Sequence, residues 1–410
     1  MKTSRASRLD FSILILLAGM VLQVAWYSLV YLTTLNAEGY IQDLDFRAFY
    51  TGGKIAFDGD WGNVYDTARQ LDVQREITGK PLSFNELLSF NHPPLLLPIQ
   101  RLVAAFDYRS AYLLWNVLSF FFILLNAFLV YKIVRKAGWE TAPTWFFTIQ
   151  VVLFYPIFVS LCKGQDTIVV LIGLSICLAG LYAQDEKKTG LGLALLVMRP
   201  QIAIPLALPF VFKQRKTWWW FVAFALILGL FSLLMIGGKG ALDYVHLLLL
   251  SDNGESITIH QYDMYDLKGA LIRAFVGRES NRVIDIASWL AFAANCVFLC
   301  ALWQKSARID LRHIGLAVIL SLFFSPHLQY HDLGLLLTPV LALCLLLTTN
   351  KLIQPLSAAL ILLAVSTYMA IVQISPLPFA GIYLFMFLLA AGLWYWEKFP
   401  WLALKHPANP

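Results

Sequence analysis

Charged residues are scarce in this chain. Only 14% of its 410 residues are Asp, Glu, Lys or Arg, and 59% are hydrophobic, whereas soluble domains carry about 25% charged residues. Apolar runs recur along the whole length, which leaves no room for a large soluble domain. The composition therefore predicts an all-α polytopic membrane protein.

Three further features are absent. The five cysteines are scattered without CxxC spacing, so they are interpreted as small packing residues rather than metal or redox ligands. The net charge of +6 is not gathered into a basic patch interleaved with exposed aromatics, which argues against nucleic-acid binding. No internal repeat is evident, which disfavours a transporter built from inverted repeats.

Ten apolar runs are long enough to cross a bilayer, and two more stretches look broken. The broken stretches are 92–106, which is short and rich in proline, and 191–212, which has Arg199 at its centre. An arginine at that depth must face protein or a water-filled cavity. About 10 to 12 transmembrane helices are expected in all. The ten runs are 11–34, 109–131, 142–161, 166–183, 217–236, 283–303, 310–325, 332–349, 352–372 and 378–396.

The basic connections fall on one side of this layout and predict the orientation of the chain. By the positive-inside rule, that side and both termini are cytoplasmic, and the first run, which lacks a small-residue cleavage site, is an uncleaved span. Two long polar segments then face the other side. They are the first polar segment, residues 35–92, and the second polar segment, residues 237–282. Residues 1–410 are expected to form a single integral membrane domain.

The first polar segment contains the sequence DLDFRAFY at 43–50. Helical spacing of its aromatic residues predicts a short amphipathic helix on the bilayer surface. Asp45 would precede that helix, so it is either an N-cap or an outward-facing base. Asp43 and Asp45 also match a DxD metal pattern, but in an extended segment their side chains would point to opposite faces.

Other polar side chains interrupt the apolar runs. His92 precedes two prolines and is either an interfacial anchor or a site residue. Lys163 beside Gln165 is either a snorkelling cation or a site residue. Arg199, followed by Gln201, lies too deep in its run to snorkel, and a buried guanidinium suits an anionic lipid headgroup.

Two histidine-containing segments complete the candidates. His327 and His331 are four residues apart, as in HxxxH metal ligands, but Leu328 stands where a zinc protease has glutamate. In the second polar segment, His260 and Lys268 belong to a loop that runs into an amphipathic surface helix. Most charges of that loop are expected to be solvated.

The order of these motifs resembles the polyprenol-phosphate-mannose-dependent mannosyltransferases of the GT-C class, glycosyltransferase family 87. Two positions depart from the family's pattern: the family more often has lysine at Arg199, and it often has a second histidine where this chain has Asp332. The matching motifs are Asp45-Phe46-Arg47-Ala48-Phe49-Tyr50, Gly59, Val64-Tyr65-Asp66, His92-Pro93-Pro94-Leu95, Gly164-Gln165, Arg199 to Trp218, and Ser325-Pro326 with His331.

The resemblance implies a GT-C fold and an inverting transfer of a sugar from a polyprenyl-phosphate donor to a glycolipid or glycan acceptor. It places the site on the extracytoplasmic face of a bacterial cytoplasmic membrane, with Asp45 as general base. It also implies that no divalent metal or other cofactor is required, since a monophosphate donor lacks the pyrophosphate that recruits one. Mannose follows the family majority; arabinose, glucose or another sugar stays open.

Asp45 is therefore the predicted base. The cations Arg199 and Lys163, with His331, are candidates for the donor phosphate, and His331 is also a candidate for orienting Asp45 or the acceptor. The other candidates for substrate binding are Gln165, His92, Gln201 and Tyr50, with Asp43, His327, Lys268 and His260 as secondary candidates. Two other functions stay open: a lipid or sugar transporter or flippase, and a metal-dependent DxD-type lipid-linked sugar transferase.

Overall fold

The computed structural model describes residues 2–37, 39–252, 263–277, 280–306, 309–346, 353–374 and 379–395. These residues form helices joined by turns, and no strand occurs among them. The helices are α1 Lys2–Asn36, α2 Phe46–Phe57, α3 Thr67–Thr78, α4 Leu97–Val103, α5 Tyr108–Lys136, α6 Thr141–Val152, α7 Tyr155–Lys163, α8 Thr167–Ala183, α9 Glu186–Leu195, α10 Pro200–Ala207, α11 Phe210–Lys213, α12 Arg215–Asp252, α13 Leu267–Phe275, α14 Arg282–Lys305, α15 Leu311–Phe323, α16 Leu337–Leu346, α17 Ile353–Ile374 and α18 Ala380–Tyr395. Short 3₁₀ turns occupy Tyr40–Asp43, Trp61–Asn63, Phe84–Glu86, Pro94–Leu96, Leu196–Met198 and Tyr330–Leu336.

Long apolar helices make this an all-α polytopic membrane protein, as predicted. Within the described residues, five helices are long and apolar enough to cross a bilayer, and the pair α6–α7, bent by 41°, would be a sixth. The remaining predicted spans appear as shorter apolar helices. The expected count of about 10 to 12 therefore requires these shorter helices to cross as well. The five long spans are Phe11–Asn36, Tyr108–Lys136, Arg215–Leu249, Arg282–Lys305 and Gln354–Val372.

The stretch around Arg199 is broken, as its sequence predicts. Helix α9 tightens into a 3₁₀ turn at Leu196–Met198, and α10 begins at Pro200. Proline suits the first position of a helix, because that residue's N–H would have no partner. Arg199 therefore lies between two helical segments, and it is buried.

Buried apolar side chains form two main cores. The larger core joins the membrane helices and runs from Leu16 in α1 to Leu393 in α18. The smaller core lies under the first polar segment and includes Phe46, Phe90 and Trp115. Burial of such aromatic side chains stabilises the segment as a folded unit on the membrane helices.

Helix α2 is packed within the protein and does not present the free apolar face that a helix lying on the bilayer surface would need. Ten of its twelve residues are buried. The reason is the pair Gly52 and Gly53: a Cβ on Gly53 would lie 2.5 Å from the carbonyl oxygen of Gln100, and one on Gly52 would lie 2.9 Å from the Phe90 ring. The lack of side chains lets α2 pack directly against α4 and Phe90.

Helix α12 continues past the predicted end of its span at residue 236. Its backbone breaks at Gly237, where φ is 67°, a conformation that glycine adopts without steric cost. The second half then packs on the first polar segment, where Lys239 Nζ lies 2.6 Å from Asn63 Oδ1 and the rings of Tyr244 and Tyr65 are 4.8 Å apart. One helix thus serves both as a span and as a cover for the polar segment.

Candidate functional site

Asp45 does not cap α2. It is the residue before the helix, but its side chain makes no capping hydrogen bond. Instead, Oδ2 accepts a hydrogen bond of 2.8 Å from Gln165 Nε2 and lies 4.0 Å from Lys163 Nζ. The side chain keeps 32% of its surface exposed, and Oδ1 has no hydrogen-bond partner among the described residues. The carboxylate is therefore oriented by the protein and still accessible.

The turn between α7 and α8 presents Gln165 to Asp45. It begins at Gly164, where φ is 71°, and a Cβ there would lie 2.7 Å from Cβ of Phe46. Trp115 Nε1 donates a hydrogen bond of 2.8 Å to the carbonyl oxygen of Gly164. Glycine is therefore required both by the backbone and by the close approach of α2.

Arg199 joins this turn to two distant parts of the chain. Its Nη2 lies 2.8 Å from Asp166 Oδ1 and 3.5 Å from Gln165 Oε1. Its Nε lies 3.3 Å from Asp332 Oδ1, and its Nη1 lies 2.7 Å from His92 Nδ1. We call Arg199, Asp166, Asp332 and His92 the Arg199 cluster. The predicted burial of this arginine against protein is confirmed.

Asp332 and Asp166 are the residues whose roles the sequence did not reveal. Asp332 Oδ1 also accepts a hydrogen bond of 3.1 Å from Thr167 Oγ1, and its Oδ2 accepts one of 3.3 Å from the Gln329 amide. A signal did exist, because a buried arginine needs carboxylate partners and each of these aspartates precedes an apolar run. The two departures from the family pattern, Arg199 and Asp332, contact each other directly.

His92 is a member of the Arg199 cluster, and its side chain is only 14% exposed. Besides Arg199, its Nδ1 lies 3.1 Å from Asp166 Oδ2. Its ring packs on Phe49 at a centroid distance of 4.6 Å. Because Tyr65 donates a hydrogen bond of 2.7 Å to the carbonyl oxygen of His92, the first polar segment fixes where this histidine meets the cluster.

The segment from 325 to 332 brings two further candidates to the edge of the cluster. His331 is buried, with Nε2 3.7 Å from Asp332 Oδ1. Gln201 Nε2 lies 3.4 Å from the carbonyl oxygen of His327. The pKa of the loop residue His327 is lowered to about 4, mainly by burial; Asp332 opposes this shift and Arg199 adds to it. His327 is therefore neutral at neutral pH.

Tyr50 and Asp43 make no contact with the Arg199 cluster in the described residues and have other partners. Tyr50 donates a hydrogen bond of 2.9 Å to the carbonyl oxygen of Phe106 and packs on Tyr108, so its hydroxyl is used within the smaller core. The Asp43 side chain is 67% exposed and lies 3.6 Å from Arg47 Nη1. Asp43 and Asp45 thus have separate partners. Among the residues that the structure describes, no group of three or more His, Cys, Asp or Glu side chains is arranged to hold a metal ion.

The second polar segment contains its own charged group, and two of its charges, Asp266 and Lys268, are buried rather than solvated as predicted. Lys268 Nζ lies 2.7 Å from Asp285 Oδ1, and the lysine side chain is only 3% exposed. Asp266 is also buried and caps α13 by accepting a hydrogen bond of 2.8 Å from the Gly269 amide. We call Asp266, Lys268 and Asp285 the Lys268 cluster. His260 lies outside the described residues.

Burial raises the pKa of the Asp266 carboxyl to about 7. Hydrogen bonds from the backbone amides of Gly269 and Leu328 oppose this rise, as does the positive charge of Lys268. The second oxygen, Oδ2, is buried without a hydrogen-bond partner. The Lys268 cluster therefore ties α13 to the turn at Leu328, where the Tyr265 amide also donates a hydrogen bond of 3.1 Å to a carbonyl oxygen.

Comparison with known families decides the class of protein. The model of glycosyltransferase family 87 matches residues 90–326, more than half of the chain. The chain belongs to glycosyltransferase family 87. No curated protein and no solved structure matched it. Family 87 membership makes the chain a glycosyltransferase. The matched range includes His92, Lys163, Gln165 and Arg199, whereas Asp45 and Asp332 lie outside it.

Proposed function

We propose that this family 87 protein transfers a hexose, with mannose as the first candidate, from a polyprenyl-phosphate donor to a hydroxyl of an extracytoplasmic glycolipid or glycan. The transfer inverts the anomeric carbon, and Asp45 is the general base. The excess of basic residues in the connections on the opposite side supports cytoplasmic termini and an extracytoplasmic site. The exposed apolar helices support a donor that arrives through the bilayer.

One observation carries this proposal: the Asp45 carboxylate is held by Gln165 and remains accessible. Its Oδ2 accepts a hydrogen bond of 2.8 Å from the Gln165 side-chain amide, and the side chain is 32% exposed. A capping aspartate would use its oxygens on backbone amides of α2, and this side chain caps none. An oriented, accessible carboxylate is what a general base requires.

The proposed reaction needs one base and cationic support for the leaving group. Asp45 takes the proton of the acceptor hydroxyl as the new C–O bond forms at the anomeric carbon. The bond from that carbon to the phosphate oxygen breaks, and the polyprenyl phosphate leaves with the electron pair. Lys163 Nζ lies 4.0 Å from Asp45 Oδ2 and its side chain is 44% exposed. It is therefore placed to stabilise the departing phosphate, with His331 as a second candidate.

The substitution Asp45→Asn tests the base. Asparagine preserves the shape and still accepts the hydrogen bond from Gln165, but it does not take a proton. We expect kcat for transfer from a labelled polyprenyl-phosphate hexose to fall by about 10²–10⁴-fold. Asp43→Asn is the matched control, because that side chain is exposed and two residues away. Transfer at the wild-type rate by Asp45→Asn would remove Asp45 from this role.

We further propose that transfer requires no divalent metal. Leaving-group stabilisation is assigned to Lys163 and His331 rather than to an ion. Transfer by the purified enzyme is expected to be unchanged by EDTA. Loss of transfer in EDTA, with recovery on adding Mg²⁺ or Mn²⁺, would contradict this proposal and support the DxD-type alternative.

A further inference from the structure

We propose that Arg199, Asp166 and Asp332 form a positioning unit that orients Asp45 through Gln165, and that Arg199 does not bind the donor phosphate. This inference rests on the proposed function, because it assigns the parts of the same site. It revises the expectation that the buried guanidinium is the phosphate ligand. Lys163 is then the cation that meets the donor.

The guanidinium of Arg199 already has protein partners for most of its N–H groups. An arginine has five N–H groups. Nε faces Asp332, Nη1 faces His92, and Nη2 faces both Asp166 and Gln165, at 2.7 to 3.5 Å. Among the described residues this leaves one N–H of Nη1 without a partner. Paired binding of a phosphate uses two parallel N–H groups, so Arg199 would have to release a carboxylate first.

The positive charge of Arg199 is more than balanced by the carboxylates of Asp166 and Asp332. One guanidinium faces two carboxylates, and the side chains of Arg199, Asp166 and Asp332 are at most 8% exposed. Water therefore screens these charges little. The unit has no surplus positive charge, and an entering phosphate would meet two buried carboxylates. Lys163 differs in both respects, because it is accessible and pairs only loosely with Asp45.

Arg199 also orients the side-chain amide of Gln165. Arg199 is a donor only, so the group of Gln165 that faces it at 3.5 Å is the oxygen, Oε1. The amide nitrogen is then directed to the other side, where it donates to Asp45 at 2.8 Å. The ion pair between Arg199 and Asp166 at 2.8 Å fixes the next residue of the same turn. Arg199 thus determines which group Gln165 presents to the base.

A double-mutant cycle between Arg199→Lys and Gln165→Ala tests this route. Each change is expected to lower kcat at least tenfold with an unchanged KM for the polyprenyl-phosphate donor. The double variant should lose no more than the stronger single variant, because Arg199 acts through Gln165. Lys163→Ala should instead raise the donor KM at least tenfold. Multiplicative losses together with a raised donor KM for Arg199→Lys would overturn the proposal.

Asp332→Asn replaces Arg199→Lys in the same cycle if the lysine variant does not fold. It removes one of the two negative charges that face Arg199, so a phosphate-binding arginine would attract the donor more strongly and lower the donor KM. A positioning arginine instead loses kcat. Arg75→Lys and Asp72→Asn are the matched controls, because these residues form an exposed pair at 3.2 Å. Both controls should leave kcat and KM at wild-type values.

A second measurement separates failure of this inference from failure of the proposed function. If the wild-type enzyme transfers no sugar from polyprenyl-phosphate donors, the proposed function fails. The unit is then tested by thermal unfolding in detergent, with Arg199→Lys, Asp332→Asn and the double variant. If the Tm of the double variant falls by less than the sum of the two single decreases, Arg199 and Asp332 act as a unit. Additive decreases would refute the unit.

Discussion

Two buried clusters of charge differ in how the chain assembles them. The Arg199 cluster brings together residues 33, 107 and 133 positions from the arginine in sequence. The Lys268 cluster joins α13 to the beginning of the next helix, α14. The first cluster adjoins an accessible carboxylate, Asp45, whereas the second anchors a short helix through a cap and one ion pair.

The Arg199 cluster assembles a candidate site from distant parts of the chain, whereas the Lys268 cluster anchors one short helix. Buried ion pairs stabilise a fold weakly, because desolvation offsets much of their attraction. Burial of charge alone therefore does not indicate function, and the Lys268 cluster shows that it also occurs where α13 is tied down. What distinguishes the Arg199 cluster is its convergence from four parts of the chain onto one oriented, exposed carboxylate.

The largest expected effect is on stability, from removal of either cation. Arg199→Met leaves two buried carboxylates without a cation and should cost about 3–5 kcal/mol. Lys268→Met leaves Asp285, whose side chain is 26% exposed and can rehydrate, and Asp266, whose raised pKa of about 7 lets it take up a proton, so we expect about 1–3 kcal/mol. Thermal unfolding in detergent compares the two variants. Equal losses would remove the distinction between the clusters.

The glycines beside the clusters provide a smaller and more selective comparison. Gly164→Ala forces a residue with φ of 71° to change and pushes Phe46, the neighbour of Asp45, so transfer should fall by about 10²-fold. Gly269→Ala presses its new Cβ against the Met264 carbonyl beside the Lys268 cluster. Activity and Tm are measured for both variants. If the transfer rate per folded molecule falls by the same factor in both variants, the Lys268 cluster also takes part in the reaction.

Titration of Asp266 gives the third comparison. Its pKa is about 7 in the folded protein and about 3.9 in an unfolded chain. Between those values the folded state holds a proton that the unfolded state has released, so stability falls as pH rises from about 4 to about 7. Asp266→Asn still caps α13 and should remove this contribution, as Tm measured across that range will show. A pH dependence that is unchanged in the variant would assign it to another group.

The smallest effect is expected at Asp43. Its pair with Arg47 is long, at 3.6 Å, and the aspartate is 67% exposed. Such exposed pairs contribute about 0–1 kcal/mol. Asp43→Asn should therefore leave both Tm and transfer near wild-type values, in contrast to Asp45→Asn. A loss of transfer comparable to that of Asp45→Asn would restore the DxD interpretation of residues 43–45.

The long helices could be predicted from the sequence because the bilayer sets their length. The runs at 11–34, 109–131 and 283–303 reappear as α1, α5 and α14. Helix α2 could not be placed, since its apolar spacing fits a lipid surface as well as a protein surface. The structure shows that α2 is buried, with Gly52 and Gly53 packed closely on Phe90 and Gln100.

Some members of the candidate site could be predicted from the sequence, but their contacts could not. Gln165 and Arg199 stand out because they interrupt apolar runs, and Asp45 stands out because it precedes a predicted helix in the first polar segment. No spacing rule brings Gln165 to Asp45 across 120 residues. An aspartate ahead of an apolar run looks like a helix cap, so Asp166 and Asp332 carried no distinctive pattern, although the charge of a buried Arg199 required them.

The continuous backbone of α12 links the site to the surrounding lipid. Its first half is a lipid-exposed span, and the half beyond Gly237 packs on Asn63 and Tyr65 in the segment that carries Asp45. A long helix responds to a thin bilayer by tilting. Such a tilt displaces the packed half unless Gly237 absorbs the angle. If Gly237 does not absorb the angle, we expect the thickness of the membrane to affect the position of Asp45.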